Sequence, residues 1–301
     1  MPASRNFAGR GAPYDRLVDD APLRLPALVI FDLDGVVYRG AEPIPGAAGL
    51  VDALHAAGSI VRFATNNSMA TRHAFVTRLA AQGIRSEPDE IVTSTWATIA
   101  YLRAHEPDVR RVMAVGADGM LAELGNAGYE ALHASRAAPR DWSGQPLRER
   151  YDAVIAGLDP TIDYRTIGVA AAAIRSGARF VATNADARYV QPDGFVPGAG
   201  AIIAALQAAS GVEPLIIGKP QPAMFRAILE STGVAAEAAL VIGDNPDSDV
   251  VAARRAGIRV LLVLTGIADE VEVATLAGER KPDWVAADPS AAAALLGLSV
   301  S

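Results

Sequence analysis

The chain has 301 residues, 51% of them hydrophobic, and it contains no cysteine, which excludes disulfide bonds and thiolate catalysis. A formal net charge of -7 without a Lys/Arg stripe argues against a nucleic-acid partner, and no apolar run reaches the roughly 18 residues that span a bilayer. We therefore expect a globular protein of about two domains, with neither nucleic acid nor membrane as a partner.

The N-terminal segment, residues 1–24, is polar and rich in Gly and Pro. It lacks the apolar stretch of a secretory signal. We expect this segment to be a disordered lead-in, and we expect the protein to be cytoplasmic.

From residue 28 onward, short apolar runs rich in Val and Ile alternate with stretches of helical periodicity. Most runs end near Gly, Asp or Asn, which is typical of buried parallel strands in an α/β protein. The predicted strands are 28–35, 60–67, 111–117, 152–158, 178–184, 215–220, 239–245 and 259–266. The alternation predicts an α/β fold with parallel sheets.

Polar side chains collect where four of these predicted strands end. In chain order they are Asp32 and Asp34, Thr65 and Asn66, Lys219, and Asp244. Ligands of open parallel sheets bind beyond the carboxyl ends of the strands, so we expect these side chains on one rim. Each motif alone can be explained as a turn or a helix cap. Four of them in this order, each at a strand end, indicate a shared site.

The same residues resemble the motifs of the haloacid dehalogenase superfamily of aspartate-nucleophile phosphotransferases. DLDG at 32–35 is similar to its first motif, Thr65 in FATNNS to the second, Lys219 in IGKPQPAMF to the third and IGDNPDSDV to the fourth. FDLDGVVYRG, FVPGAGAI and GKPQPAMF resemble in particular the NagD and p-nitrophenyl-phosphatase branch, whose members carry a large α/β cap between the second and third motifs. The resemblance covers nearly all of residues 27–298.

The resemblance implies a Mg²⁺-dependent phosphatase of small phosphorylated metabolites that works through an aspartyl-phosphate on Asp32. Asp34 would be the general acid and base, with its pKa raised by acidic neighbours. Its backbone carbonyl would join Asp32 and Asp244 as ligands of Mg²⁺, a cation that prefers oxygen ligands.

The second and third motifs would bind the phosphate group. Thr65 would offer a hydroxyl and, with Asn66, backbone N–H groups at a helix N-terminus. Lys219 would supply a compact positive charge, and Asn67 would help the substrate loop. Asp249 would support Lys219 or a metal-bound water as a second layer.

The spacing of the motifs predicts the domain organisation. Only one βα unit fits between Asp32 and Thr65, whereas the stretch from Thr65 to Lys219 is long enough to hold a further domain. We expect a Rossmann-like catalytic core of residues 25–102 and 213–298, with an inserted α/β cap at 103–212. Caps of this branch commonly mediate dimers, so the resemblance also implies a possible homodimer.

The cap loop that follows ARFVATN is the predicted contact for the leaving group. Asn184, Asp186 and Arg188 offer acceptors and a guanidinium close together, although a solvated turn is the alternative. The role of Asp247 is open between the site and a charge at a helix N-terminus.

Two rival functions use the same fold. A phosphotransferase would pass the phosphoryl group to an acceptor other than water. A non-catalytic phosphometabolite sensor would be expected to lose Asp32, Asp34 or Asp244, and all three are present. The motifs do not identify the phosphate ester, because they surround the phosphate alone.

Overall fold

The computed structural model describes residues 23–191 and 194–300, with residues 190 and 191 described by their backbone alone. The predicted lead-in, residues 1–24, lies outside this part of the chain except for Leu23 and Arg24. Among the described residues, no helix combines the length and the apolar composition that crossing a membrane requires.

Strands and helices alternate along the described chain. The strands are β1 Leu28–Phe31, β2 Tyr38–Arg39, β3 Glu42–Pro43, β4 Ile60–Thr65, β5 Ile91–Thr93, β6 Arg111–Val115, β7 Glu130–His133, β8 Ala153–Ala156, β9 Arg179–Ala182, β10 Arg188–Gln191, β11 Gly194–Pro197, β12 Leu215–Ile216, β13 Ala239–Gly243, β14 Arg259–Val263 and β15 Trp284–Ala286. The helices are α1 Ala47–Ala56, α2 Arg72–Ala81, α3 Ser94–His105, α4 Asp118–Asn126, α5 Tyr164–Arg175, α6 Ala199–Ser210, α7 Ala223–Thr232, α8 Val251–Ala256, α9 Glu270–Val273 and α10 Pro289–Leu295. Every predicted strand is present, and each ends earlier than predicted because its last predicted residues belong to the following loop.

The first sheet has the order β15-β14-β13-β1-β4-β5, and all its neighbouring strands are parallel. β1 lies in the interior of this sheet, and its sequence LVIF is fully buried. Such continuous apolar strands are typical of parallel sheets covered by helices on both faces. The α/β prediction is therefore confirmed.

The second sheet has the order β12-β9-β8-β6-β7 and is also parallel. Its strands all lie between β5 and β13 in the chain, so this sheet is inserted into the first one. β12 differs from the expectation, because we placed residues 213–298 in the core, whereas Leu215 and Ile216 pair with Val181 and Ala182 of β9. The exact domain limits stay a prediction.

The two sheets share a continuous apolar cluster. It contains Ile30 and Val241 of the first sheet together with Val112 and Ile155 of the second, all of them almost completely buried. Burial of each such side chain contributes about 1.5–3 kcal/mol, so this packing is a major source of stability. Two antiparallel hairpins, β2–β3 and β10–β11, complete the strand pairing.

Candidate active site

Three neighbouring strands of the first sheet bring their terminal polar residues to one edge. Asp32 follows β1, Thr65 ends β4, and Asp244 follows β13. β1 is hydrogen-bonded to both β4 and β13, which explains why residues far apart in sequence meet here. Lys219 reaches the same place from the loop after β12, a strand of the second sheet. The predicted convergence is present, but one of its members comes from the other sheet.

Lys219 lies at the centre of this group. Its Nζ is 2.5 Å from Asp32 Oδ1 and 2.7 Å from Asp249 Oδ1, and it also donates to the carbonyl oxygen of Ala64 at 3.3 Å. The side chain is only 3% exposed. Burial lowers the pKa of Lys219, but the carboxylates of Asp249 and Asp32 outweigh burial and raise it above its ordinary value. Lys219 is therefore a fixed positive charge beside Asp32.

Asp32, Asp244 and Asp249 form a group in which one oxygen of each carboxylate lies within 4.8 Å of the others. Both oxygens of Asp249 already accept hydrogen bonds, from Lys219 and from the backbone of residues 244 and 245. In contrast, Asp32 Oδ2 and Asp244 Oδ1 accept none in the described part of the chain. Free carboxylate oxygens are the ligands that Mg²⁺ prefers, so the donors present fit this cation.

The electrostatics of this group favour the binding of a positive charge. Burial raises the pKa of Asp32 well above its ordinary value, although Lys219 acts in the opposite direction. Burial and the neighbouring Asp249 raise the pKa of Asp244 to about 7. Buried carboxylates with raised pKa values in a cleft are typical of functional sites. A divalent cation would favour the ionised form of both groups.

Two glycines leave room for the Asp244 carboxylate. Gly35 has a φ of 87°, which glycine adopts without strain, and a methyl group at this position would collide with Asp244. A methyl group at Gly266 would collide with the same carboxylate. The glycine of the DLDG motif therefore serves both the turn and the close approach of the fourth motif.

Thr65 and Asn67 shape the loop after β4. Thr65 Oγ1 accepts a hydrogen bond from the backbone N–H of Asn67 at 3.1 Å, and Asn67 Oδ1 accepts from the backbone N–H of Met69 at 2.8 Å. We expected a helix N-terminus at Asn66, and this prediction is wrong in position. Helix α2 is capped by Thr71, whose side chain accepts from the N–H of Ala74, because the side-chain turns extend the loop to that point.

The side chain of Asn66 joins the two sheets. Its Nδ2 donates to the Asp186 carboxylate at 3.0 Å and to the Lys219 carbonyl at 2.9 Å, and its Oδ1 accepts from the Lys219 N–H at 2.9 Å. Asn184 Nδ2 donates to the Asn66 carbonyl at 2.7 Å. The predicted cap residues Asn184 and Asp186 therefore lie against the second motif. Their contact with a leaving group stays a prediction.

Asp34 lies at the outer side of the group, and 56% of its side chain is exposed. Desolvation by the surrounding protein raises its pKa, as predicted, but the predicted cause is wrong. The charged neighbours that act on Asp34 are Arg78 and Lys219, and both lower its pKa. Desolvation by the surrounding protein, and not repulsion by acidic neighbours, is therefore what raises the pKa of Asp34.

Sequence reasoning did not single out Arg78 and Tyr38 near Asp34, and it considered Tyr189 only as the phenol of the predicted cap loop. The guanidinium of Arg78, on α2, lies 3.7 Å from the ring centroid of Tyr38 and 3.9 Å from Asp34 Oδ1. The Tyr189 phenol is close enough for the charge of Asp34 to raise its pKa, after burial, which is the larger cause. Arg78 lies in no motif, whereas Tyr38 lies within FDLDGVVYRG and Tyr189 within the predicted cap loop, so the positions of the two tyrosines were the only available signals.

Arg188 and Asp247 contact residues outside the group around Lys219. The Arg188 guanidinium lies over the ring of Phe195 at 5.5 Å within the β10–β11 hairpin, and its predicted substrate contact stays a prediction. Asp247 Oδ1 lies 2.7 Å from Arg280 Nε in an exposed ion pair. Arg280 also pairs with Glu272 at 2.8 Å. Asp247 thus belongs to a surface network beside the site.

Comparison with known proteins gives similarity over most of the chain. The family model for haloacid dehalogenase-like hydrolases matches residues 29–130, and a HAD-hydrolase-like model matches 216–292. Phosphoglycolate phosphatase 2 of Arabidopsis thaliana is 32% identical, covering 85% of this chain and 88% of that protein. The structure of glycerol phosphate phosphatase from Mycobacterium tuberculosis in complex with magnesium is 31% identical, with a TM-score of 0.76 over 88% of this chain and 76% of that one. The structure of NagD from E. coli K-12 is 28% identical, with a TM-score of 0.76 over 88% of this chain and 97% of that one.

Proposed function

This chain belongs to the haloacid dehalogenase-like hydrolases, as a phosphatase of the NagD-like branch; we propose that it hydrolyses small phosphate monoesters through an aspartyl-phosphate on Asp32. The observation that carries the proposal is the buried contact of one ammonium, Lys219 Nζ, with both Asp32 and Asp249. This contact holds the nucleophile in place and brings a positive charge to the point where a phosphate must bind. A sensor would need neither feature.

Mg²⁺ is the proposed cofactor. Asp32 and Asp244 would hold it through their free oxygens, together with the backbone carbonyl of Asp34, while Asp249 stays bound to Lys219. The bound cation would offset the repulsion between the Asp32 carboxylate and an anionic phosphate. The relative from Mycobacterium tuberculosis was solved with magnesium, which supports the choice of metal.

In the first half of the proposed reaction, Asp32 attacks the phosphorus atom. An O–P bond to Asp32 forms while the ester P–O bond breaks, and the electron pair of the broken bond stays on the leaving oxygen. Asp34, whose raised pKa favours the protonated form, donates a proton to that oxygen. Lys219 and the Thr65 hydroxyl stabilise the charge on the transferring group.

In the second half, Asp34 acts as the base. It takes a proton from a water molecule, the water oxygen bonds to phosphorus, and the O–P bond to Asp32 breaks, which releases inorganic phosphate. The exposure of Asp34 suits this step, because water reaches its carboxyl directly. The buried Asp32 is less open to solvent, with 12% of its side chain exposed.

The second sheet and its helices form the proposed cap. Asn66 and Asn67 would orient the phosphate-binding loop, and Asn184, Asp186 and Arg188 would contribute to the leaving-group side. The hydrogen bonds between Asn66 and Asp186 support this, because they bring the cap loop next to Lys219. A homodimer formed through the cap remains part of the proposal.

The test combines substrate, metal and intermediate. Purified protein is assayed for inorganic phosphate release from a panel of phosphate esters with Mg²⁺, with EDTA, and with Ca²⁺ in place of Mg²⁺. We expect activity with Mg²⁺ alone, since the larger Ca²⁺ would misplace the nucleophile. Rapid acid quenching should trap a phosphoenzyme in the native protein and none in Asp32→Asn. Full turnover after chelation would overturn the metal assignment, and phosphoryl transfer to added glycerol without phosphate release would favour a phosphotransferase.

A further inference from the structure

The leaving-group side of the site contains an arginine that the mechanism above does not use. Arg78 lies on α2, outside every motif, with 32% of its side chain exposed. Its Nη2 donates to the Gly40 carbonyl at 2.6 Å, and its guanidinium stacks on the ring of Tyr38. Within the described chain, its Nε and Nη1 donate to no protein acceptor. Several donors of a held guanidinium therefore face the cleft or the solvent.

Arg78 differs from Lys219 in how its charge is compensated. Lys219 contacts two carboxylates at hydrogen-bonding distance. The carboxylate next to Arg78 is Asp34 at 3.9 Å, which is longer than a direct hydrogen bond. The stack on the buried Tyr38 and the bond to the hairpin fix the guanidinium where it stands. A held cation without a close anion is suited to bind one.

The position of Asp34 defines where a leaving group must lie. With Asp34 Oδ1 as the proton donor, in contact with the leaving oxygen at about 2.7 Å, this oxygen would be no more than about 7 Å from Arg78 Nη2. A gap of that size is bridged by one or two carbon atoms and a carboxylate hydrogen-bonded to the guanidinium. Arginine binds carboxylates through two parallel hydrogen bonds.

We propose that Arg78 selects phosphate esters of short hydroxycarboxylic acids by binding the carboxylate of the leaving group. The proposal rests on the phosphatase function and names its substrate class. The cleft otherwise carries the carboxylates of Asp32, Asp244 and Asp249, with Asp34 beside Arg78, and these negative charges disfavour an anionic leaving group. Arg78 supplies the opposite charge on the side where that anion would lie. Tyr38 and the Gly40 carbonyl act as its supports.

The test compares 2-phosphoglycolate with its neutral counterpart, 2-hydroxyethyl phosphate, which has the same number of carbon atoms. In the native protein with Mg²⁺, kcat/KM should favour the carboxylate ester by about 10- to 100-fold, the range for a charge-assisted contact. Arg78→Met should reduce this preference to nearly one, with most of the loss on the carboxylate ester. Arg78→Lys should give an intermediate preference, because it keeps the charge and loses the planar fork.

A second contact between α2 and the hairpin provides the matched control. Gln82 Nε2 donates to the Ala41 carbonyl at 3.1 Å, one residue from the carbonyl that Arg78 holds. If Arg78 only anchored the hairpin, Gln82→Ala would change the preference in the same way, and we expect it to leave the preference intact.

The outcomes separate the two proposals. Absence of activity on every ester would overturn the phosphatase proposal itself. Two results would overturn the role of Arg78 and leave the phosphatase function standing. One is a native protein that prefers the neutral ester, and the other is an Arg78→Met variant whose kcat/KM falls equally on both esters. Each comparison requires that the native protein and the variant unfold at the same temperature. If Arg78→Met does not fold, Arg78→Lys is used in its place.

Discussion

Two buried carboxylate clusters of this molecule show opposite electrostatics. In the second sheet, Asp159 is 2% exposed and accepts hydrogen bonds from His133 Nε2 at 2.9 Å and from the backbone and hydroxyl of Thr161 at 2.9 and 2.8 Å. Burial would raise the pKa of Asp159, but these hydrogen bonds outweigh burial and lower it. In the cleft, the pKa values of Asp32 and Asp244 are raised.

The opposite pKa shifts of the two clusters come from their hydrogen-bond donors and not from their burial. Asp159 has donors for both of its oxygens, whereas the cleft leaves one oxygen of Asp32 and one of Asp244 without a donor in the described chain. Carboxylate oxygens that accept no hydrogen bond from the protein are free to bind a cation such as Mg²⁺. The comparison indicates a structural role for the Asp159 cluster, and it supports the proposed binding site at Asp32 and Asp244.

The largest expected effect comes from Asp32→Asn, which tests the carboxylates of the cleft. Loss of the proposed nucleophile should reduce turnover by on the order of 10⁴-fold or more. The free energy of unfolding should stay equal or rise, because the variant removes one buried charge from an excess of negative charge. Phosphate release and urea unfolding of the same preparation measure both. A clear loss of stability would contradict the contrast between the clusters.

Asp34→Asn should separate the two halves of the reaction. Turnover should fall by about 10²- to 10⁴-fold, since the variant lacks the proposed general acid and base. p-Nitrophenyl phosphate has a leaving group that needs little protonation, so phosphorylation of Asp32 should persist and dephosphorylation should become slow. Rapid quenching should therefore show an accumulated phosphoenzyme. If phosphoenzyme fails to form even with this ester, Asp34 has a role in positioning Asp32 as well.

Asp159→Asn tests the structural side. We expect the free energy of unfolding to fall by about 1–3 kcal/mol, because His133 and Thr161 lose a charged acceptor, while kcat/KM changes less than threefold. The folded pKa of Asp159 is lowered, so its contribution is present above the ordinary Asp pKa of about 3.9 and is lost as the pH falls below it. The native and variant proteins should therefore converge in stability below about pH 4. A constant difference across this range would assign the effect to packing.

Asp247→Asn should have the smallest effect. Its ion pair with Arg280 is exposed, and such pairs contribute less than about 1 kcal/mol and weaken with salt. The Mg²⁺ concentration for half-maximal activity should not change, because the Asp247 carboxylate is outside the group of Asp32, Asp244 and Asp249. A marked increase in that concentration would place Asp247 in the metal site after all.

The sequence was sufficient to predict the interior strands and the residues that follow them. Strands such as β1 and β13 are continuous apolar runs that end at aspartates, and this local pattern survives in the fold. The edge strands β5, β7 and β15 and the two hairpins were not predicted, because short or exposed strands carry little hydrophobic signal. The pairing of β12 with the second sheet depends on tertiary contacts alone.

The site was predictable where chemistry is carried by motifs. The place of Lys219 between Asp32 and Asp249 agrees with the expectation for those residues. Arg78 and Tyr38 could not be predicted, because a residue on a helix surface and one in a hairpin meet only through the tertiary fold. The cause of the raised pKa of Asp34 also required the structure, since desolvation by neighbouring segments cannot be read from sequence spacing.

The hydrogen bonds of the site join segments that are far apart in the chain. Asp32 and Lys219 are 187 positions apart, and Asn66 bonds to residues 120 and 153 positions away. Contacts of this separation are slow to form, because the chain entropy of closing long loops must be lost first. A folding intermediate in which only the first sheet has formed would contain Asp32 without its contact to Lys219. Recovery of phosphatase activity during refolding therefore reports the completion of the whole chain, while circular dichroism would report the earlier formation of either sheet.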